Sequence, residues 1–293
     1  MKIYDTTTYF EEDLIMDLRF NILNKFVDKF VVCEAKFTHS GKKKNIKFNP
    51  NNFKKFKHKI IHIIVENDPV KKNNITKNPS NHRTNSIKRI EHQRNQISRA
   101  LKNADPDDYV IYSDNDEIPY LNNINFRNLK SKIILFRQKL FYYKFNLFYK
   151  KLDWYGSKAC KVKDLKNITW LRNIKTKKYK PFRLDTLFSK TKYIDLKIIK
   201  EGGWHFTNLK SPKDLLKKYL NDEMHAEFEI NKMNLSEIKN KINKRVINYD
   251  HFADSKVSAR QKQHNKFKLT KVKINFLPDY IKKNFSKYKN WLA

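Results

Sequence analysis

The chain has 293 residues, is 39% hydrophobic and 14% aromatic, and carries a formal net charge of +34 at pH 7. That length suits one large domain or two small ones, and the apolar content excludes a disordered chain. The start, Met1-Lys-Ile-Tyr-Asp, lacks the apolar core of a secretory signal, and no apolar run reaches the ~18 residues of a membrane helix.

In chain order, Lys2–Phe10 reads as a short strand. Glu11–Phe26 has apolar residues at Leu14, Ile15, Leu18, Ile22 and Leu23, which is helical spacing. Lys29–Glu34 is an apolar buried strand, and a polar loop follows over Ala35–Asn45 with Gly41 as its turn residue. A short helix over Phe48–Phe56 and a strand over Lys59–Val65 come next. The polar stretch Asn67–Asn81, with Pro69 and Pro79, is long for a connection and reads as a functional loop. His82–Asn103 is a basic amphipathic helix leading into the strand at Tyr109. This strand–helix alternation predicts an α/β fold with a parallel sheet.

Beyond Pro119 the texture becomes aromatic and alternating, with strands expected over Ile133–Phe148, Trp154–Val162 and Lys192–Phe206. A basic helical region opens at Ser211–Tyr219 and runs to Ala293. No repeat or linker divides the chain. The expected organisation is a core over residues 1–210 with a helical C-terminal region, 211–293, packed on the same domain. Cys33 and Cys160 lie in apolar surroundings with no metal or redox spacing. They read as buried free thiols in a reducing cytoplasm.

The strand Tyr109-Val-Ile-Tyr-Ser ends in Asp114-Asn-Asp116-Glu117-Ile-Pro119. Residues two apart on a strand point the same way, so Asp114 and Asp116 can face one point beyond its carboxyl end. Ligands bind at that edge of an open α/β sheet. Two hard oxygen ligands there suit Mg²⁺ or Mn²⁺ together with a substrate's phosphates. The same residues also read as a solvated acidic turn with Pro119 ending the strand.

Four patterns occur in order: Val27 to Gly41, Gln93-Arg94-Asn95, Ser113 to Pro119, and Gly202-Gly203-Trp204-His205-Phe206-Thr207 with His225-Ala-Glu227 downstream. Together they resemble glycosyltransferase family 17, over roughly Tyr4 to Asp254. The resemblance implies a GT-A type Rossmann-like mixed sheet flanked by helices and an inverting mechanism. It implies a UDP-sugar donor, typically UDP-N-acetylglucosamine, and a Mn²⁺ or Mg²⁺ ion. The Asp-x-Asp of the family falls on Asp114 and Asp116, and the acceptor is a glycan or glycolipid.

The chemistry assigns further roles. Transfer leaves negative charge on the diphosphate, which a cation held by Asp114 and Asp116 neutralises. His205 is a candidate third ligand or a core histidine. Arg94 faces the diphosphate or forms a helix-surface ion pair. Glu34 and Thr38, after the first buried strand, are assigned to the uridine or ribose, against a structural role in the loop. Trp204 offers a face to a sugar ring, with Trp154 and Gly156 on the acceptor side. The base that inversion requires is open among Glu117, Asp153, Asp185, Glu201 and Glu227, with Glu117 and Glu227 foremost.

The lysine runs at Lys42–Lys44, Lys54–Lys59, Lys71-Lys72 and Lys175–Lys180 attract nucleic acid, anionic lipid or acidic glycans. Abundant Lys, Asn and Ile also fit an A/T-rich genome, so the charge alone names no partner. The competing reading is a basic nucleic-acid-binding protein or metal-dependent nuclease. Zinc-finger, RNP and basic-zipper patterns are absent, and no nucleic acid is expected. A calcium loop fails, because Pro119 stands where the turn glycine belongs and Asn125 where the final Glu does. The favoured reading is a cytoplasmic transferase, peripheral at an anionic membrane surface.

Overall fold

A computed structural model describes residues 1–71, 79–177, 179, 182, 184–247 and 268–293, with backbone alone at 79, 80 and 187. Parts of the expected loop Asn67–Asn81, of the lysine run ending at Lys180 and of the expected C-terminal helical region (248–267) lie outside them.

Strand β1 (Ile3–Thr8) pairs in parallel with β2 (Lys29–Ala35) on one side and β4 (Tyr109–Ser113) on the other, and β3 (Ile60–Val65) extends β2. Side chains alternate between the two faces. In β2, Phe30 and Val32 join one hydrophobic core, while Val31 and Cys33 join another on the opposite face. Helix α1 (Asp13–Leu23) covers the first face, presenting Ile15, Leu18 and Leu23 at helical spacing. Helix α2 (Pro79–Gln96) lies on the second and continues as a 3₁₀ turn over Ile97–Leu101, where one helix over His82–Asn103 was expected. Strand order β3-β2-β1-β4 places a topological switch point between β1 and β4. Ligand crevices of open α/β sheets form there, beyond the strands' carboxyl ends.

The sheet then turns antiparallel. β8 (Trp154–Lys161) pairs antiparallel with both β4 and β6 (Ile133–Tyr142). The expected strand Ile133–Phe148 is two, β6 and β7 (Leu147–Phe148), because the chain reverses at Tyr143, whose φ is +63°. The expected strand Lys192–Phe206 is also two, β9 (Leu196–Ile199) and β10 (Gly203–Thr207). Both run parallel to β6, β9 beside Ile133–Phe136 and β10 beside Lys139–Tyr142. Gly202 and Gly203 make the step between them. A Cβ on Gly202 would lie 2.6 Å from Arg137 N, and one on Gly203, at φ +117°, would lie 2.1 Å from Ile118 O. β5 (Glu117–Pro119) pairs antiparallel with β10, so Pro119 lies within a strand. The architecture is a Rossmann-like mixed sheet flanked by helices, of eleven strands among the described residues.

After Ser211 come α5 (Pro212–Tyr219), α6 (His225–Ile230) and α7 (Leu235–Lys244). A short strand, β11 (Thr270–Lys271), unexpected from sequence, then pairs with β7. Helices α8 (Asp279–Lys283) and α9 (Phe285–Tyr288) return to α1, where Lys287 Nζ and Tyr288 Oη reach Asp17 Oδ2 at 2.6 and 3.0 Å. Leu277, Ile281 and Tyr288 belong to the same core as α1. Both cysteines are buried and free, and burial pushes the Cys33 thiol up to about 12.

At the sheet centre, Arg19 and Asp5 form a fully buried pair, Nε donating to Oδ2 at 2.6 Å. A second Arg19 nitrogen donates to the carbonyl of Glu117, tying α1 and β1 to the acidic turn.

Candidate active site

The segments that leave β1 and β4 at their carboxyl ends open onto a cavity of about 640 Å³. Thr8, Tyr9 and Phe10 come from the first and Asp114, Asn115 and Asp116 from the second. The far wall comes from the region after 211, including Lys218, Asp222, Glu227 and Lys241. The C-terminal region therefore completes the cavity.

Asp114 is held from three directions. Arg94 Nη2 (3.0 Å) and Tyr112 Oη (2.9 Å) donate to Oδ1, and Arg172 Nε (2.8 Å) donates to Oδ2. Burial opposes its charge, but Arg172 and Arg94 outweigh burial and hold the carboxyl far below its usual range. Asp116 Oδ1 lies 3.1 Å from His205 Nε2. Burial again opposes ionisation, and the imidazole outweighs it, bringing Asp116 to about 2. In return Asp116 raises the His205 pKa against the effect of burial. His205 Nδ1 is buried without a hydrogen-bond partner. Trp154 lies against the imidazole, with ring centroids 4.6 Å apart.

Glu117 lies beneath this surface and does not line the cavity. Its Oε2 accepts the Asp114 amide N–H (2.9 Å) and its Oε1 accepts the Trp154 indole N–H (2.7 Å). Burial and the Asp114 charge raise its pKa. A Cβ on Gly156 would fall 2.3 Å from the Glu117 carboxyl carbon, so this glycine makes room for the buried acid. Glu117 thus braces the turn.

Several expected roles are relocated. Trp204 does not line the cavity, because it and His205 are strand neighbours facing opposite ways. Its indole donates to Phe276 O (3.1 Å), anchoring the C-terminal segment. Glu34 is fully buried and accepts from the amides of Lys47 and Phe48 (both 2.9 Å) and from Lys44 Nζ. Thr38 is buried too, closing its loop through Ser40 Oγ (2.8 Å) and the Lys42 amide (3.1 Å). Their neighbours Phe37 and His39 reach the cavity instead, and burial with the nearby Arg94 lowers His39 to about 4. Asp153, Asp185 and Glu201 pair with Arg137, Lys192 and Lys139, away from the cavity.

The Gln93-Arg94-Asn95 pattern is accounted for residue by residue. Gln93 Nε2 donates to Cys33 O (2.8 Å), Arg94 grips Asp114, and Asn95 Oδ1 accepts the Thr169 amide (3.0 Å). That last bond seats α3 (Ile168–Asn173), which delivers Arg172. Buried Lys158 donates to the carbonyls of Arg172 and Ile174 at the end of α3, and burial with the Arg172 charge lowers it to about 7. Sequence reasoning passed over Arg172, Lys158 and Asp222. Burial raises the Asp222 carboxyl to about 6.

Residues 1–179 match glycosyltransferase family 17. The chain belongs to that family. The first three of the four motifs and the acidic turn lie within the matched residues, while Gly202–Thr207 and His225-Ala-Glu227 lie beyond them. Among curated proteins, it is similar to the beta-1,4-mannosyl-glycoprotein 4-beta-N-acetylglucosaminyltransferases of Homo sapiens and Rattus norvegicus. Each is 31% identical over 123 residues, which is 39% of this chain and 21% of the relative. The Mus musculus protein is 30% identical over the same length. The matched stretch is thus about a fifth of the length of these relatives.

Proposed function

We propose that this family 17 protein is an inverting glycosyltransferase that moves a sugar, N-acetylglucosamine, from a UDP donor to a glycan or glycolipid acceptor, with Mn²⁺ or Mg²⁺ at the acidic turn. The observation that carries this reading is the cavity at the β1/β4 switch point. It joins Asp114, Asp116 and His205 to the cations of Arg94 and Arg172. The N-acetylglucosaminyl group is that of the similar animal transferases.

Among the described residues, no group of three His, Cys, Asp or Glu side chains is arranged to hold a divalent ion. Both oxygens of Asp114 are already engaged by guanidinium groups, so Asp116 and His205 are the pair that fits. A pair suffices for an ion that takes its remaining ligands from a substrate's phosphates and water. Such an ion supplies positive charge to the departing diphosphate.

The protein's own groups account for the rest. An acceptor oxygen bonds to the anomeric carbon as the bond from that carbon to the diphosphate oxygen breaks, and the electron pair leaves with UDP. Arg94 and Arg172, fixed by Asp114, present charge to that oxyanion without reorganisation. Glu227 accepts the acceptor's proton. It lines the cavity, and its Oε2 is buried with no hydrogen-bond partner. Tyr9, Phe10 and Trp154 offer apolar faces to a sugar ring.

The test is UDP release across nucleotide sugars, with Mn²⁺ and with EDTA. One UDP-sugar should turn over in Mn²⁺ alone. Asp116→Asn should abolish this without changing thermal unfolding. Glu227→Gln should keep Mn²⁺-dependent donor binding but lose about 10²–10⁴ in kcat, the usual worth of a positioned base. An undiminished rate in Asp116→Asn refutes the metal assignment.

A further inference from the structure

Between α3 and β9 the chain makes an excursion whose base is closed and whose tip is apolar. Lys175 N donates to Thr191 O (2.8 Å), and the Trp170 indole donates to Lys190 O (2.7 Å), pinning the two roots together. Within the excursion lies the single-turn helix α4 (Asp185–Phe188). Phe182 is 91% exposed, Phe188 89% and Leu184 72%. They are the most exposed large hydrophobic side chains among the described residues. Leaving two phenylalanines and a leucine in water within seven residues wastes apolar area that any partner would cover.

The composition of the same stretch says which partner. The stretch 175–194 holds seven Lys or Arg residues against one acid, Asp185, and that acid is already paired with Lys192 Nζ at 2.6 Å. Exposed apolar side chains on a stretch this rich in lysine match an anionic bilayer, where phenylalanine enters the acyl boundary and lysine meets the headgroups. A hydrophobic protein groove would match the tip but not this excess of positive charge.

We infer that the excursion between Lys175 and Thr191 is a membrane-docking loop that inserts Phe182, Leu184 and Phe188 into an anionic lipid surface. The loop's first root is three residues beyond Arg172, which lines the cavity, so docking brings the active-site wall to the membrane. That position suits an acceptor carried on a lipid. The docking itself stands on exposure and charge and does not require the proposed transfer.

The experiment is co-sedimentation of the full chain with vesicles of equal parts phosphatidylcholine and phosphatidylglycerol, and with phosphatidylcholine alone. The chain should sediment with the mixed vesicles only. The double variant Phe182→Ser with Phe188→Ser should bind at least about tenfold more weakly, given one Phe-sized insertion lost at each site. Its thermal unfolding should be unchanged, since both side chains are exposed. In a second measurement, Phe188→Trp should show a blue shift of added emission with mixed vesicles. Equal binding by the parent and the double variant, with no blue shift, overturns the inference and assigns any lipid binding to diffuse surface charge. Absence of vesicle binding together with self-association that the double variant abolishes overturns it in favour of a contact between copies. UDP-sugar turnover is measured separately, so failure here leaves the transferase reading standing and the converse also holds.

Discussion

Asp114 and Asp116 stand two positions apart and do different work. Asp114 is spent on two arginines and a tyrosine, so its role is to aim charge. Asp116 has one imidazole partner, His205, and on the proposed reading shares the ion with it. Their convergence was legible from strand alternation, although they lie on the turn just beyond the strand. Arg172 was not legible, since it is 58 residues away and nothing local marks it out from dozens of other cations. Asp222 was equally hidden, and it makes a pH prediction. Its folded-state pKa of about 6 lies above the ~3.9 of an unfolded aspartate. The stability it lends is therefore complete below ~4 and is lost as pH rises through 6. Asp222→Asn keeps the side-chain oxygen that accepts the Met224 amide and does not ionise. The variant should gain on the parent in Tm, by about 5–10 °C, between pH 4 and pH 7. Parallel Tm curves across that range would remove the perturbed group.

Elements were legible where periodicity was long and illegible where a single residue broke it. The strands of the parallel half, the two flanking helices and the acidic turn emerge from apolar spacing alone. The breaks at Tyr143 and at Gly202-Gly203 do not, because an alternating pattern runs straight through both. Trp204 misled for a related reason: an aromatic beside a cavity-lining histidine on a strand must face away from it. Glu34 and Thr38 sit beyond the correct strand, but their side chains close the loop, leaving Phe37 and His39 for the cavity. At this scale Gly156 carries the sharpest consequence, since β8 passes the Glu117 carboxyl with no room for a methyl group. Gly156→Ala should cost about 1–3 kcal/mol, the usual penalty of overpacking, and should weaken donor turnover by displacing Glu117 from the Asp114 amide. Chemical denaturation measures the first and the UDP-release assay the second. An unchanged midpoint would mean that the turn does not depend on Glu117.

For the whole molecule the excess charge is a cost. A net +34 on 293 residues repels itself in the compact state. Salt screens such repulsion over a length of ~10 Å at 0.1 M. Raising sodium chloride from low to moderate concentration should therefore increase Tm, and a decrease would show that specific ion pairs such as Lys36–Glu66 outweigh the repulsion. The C-terminal region was the least legible part. Its basic helices looked like an appendage, yet they supply the far wall of the cavity and cover α1.

The outermost strand has a further meaning. β3 reads Ile-Ile-His-Ile-Ile-Val and, among the described residues, lies at the open end of the sheet, five aliphatic residues in six with their ladder facing outward. Such a segment is the kind that stacks into fibrils when two copies meet edge to edge. The Arg99 guanidinium takes one of its carbonyls, Ile64 O, at 3.0 Å. Exposed Lys54, Lys55 and Lys57 stand immediately before the strand as gatekeepers. Part of the lysine excess thus stands against edge-to-edge pairing of two copies, while other cations are left to meet anions.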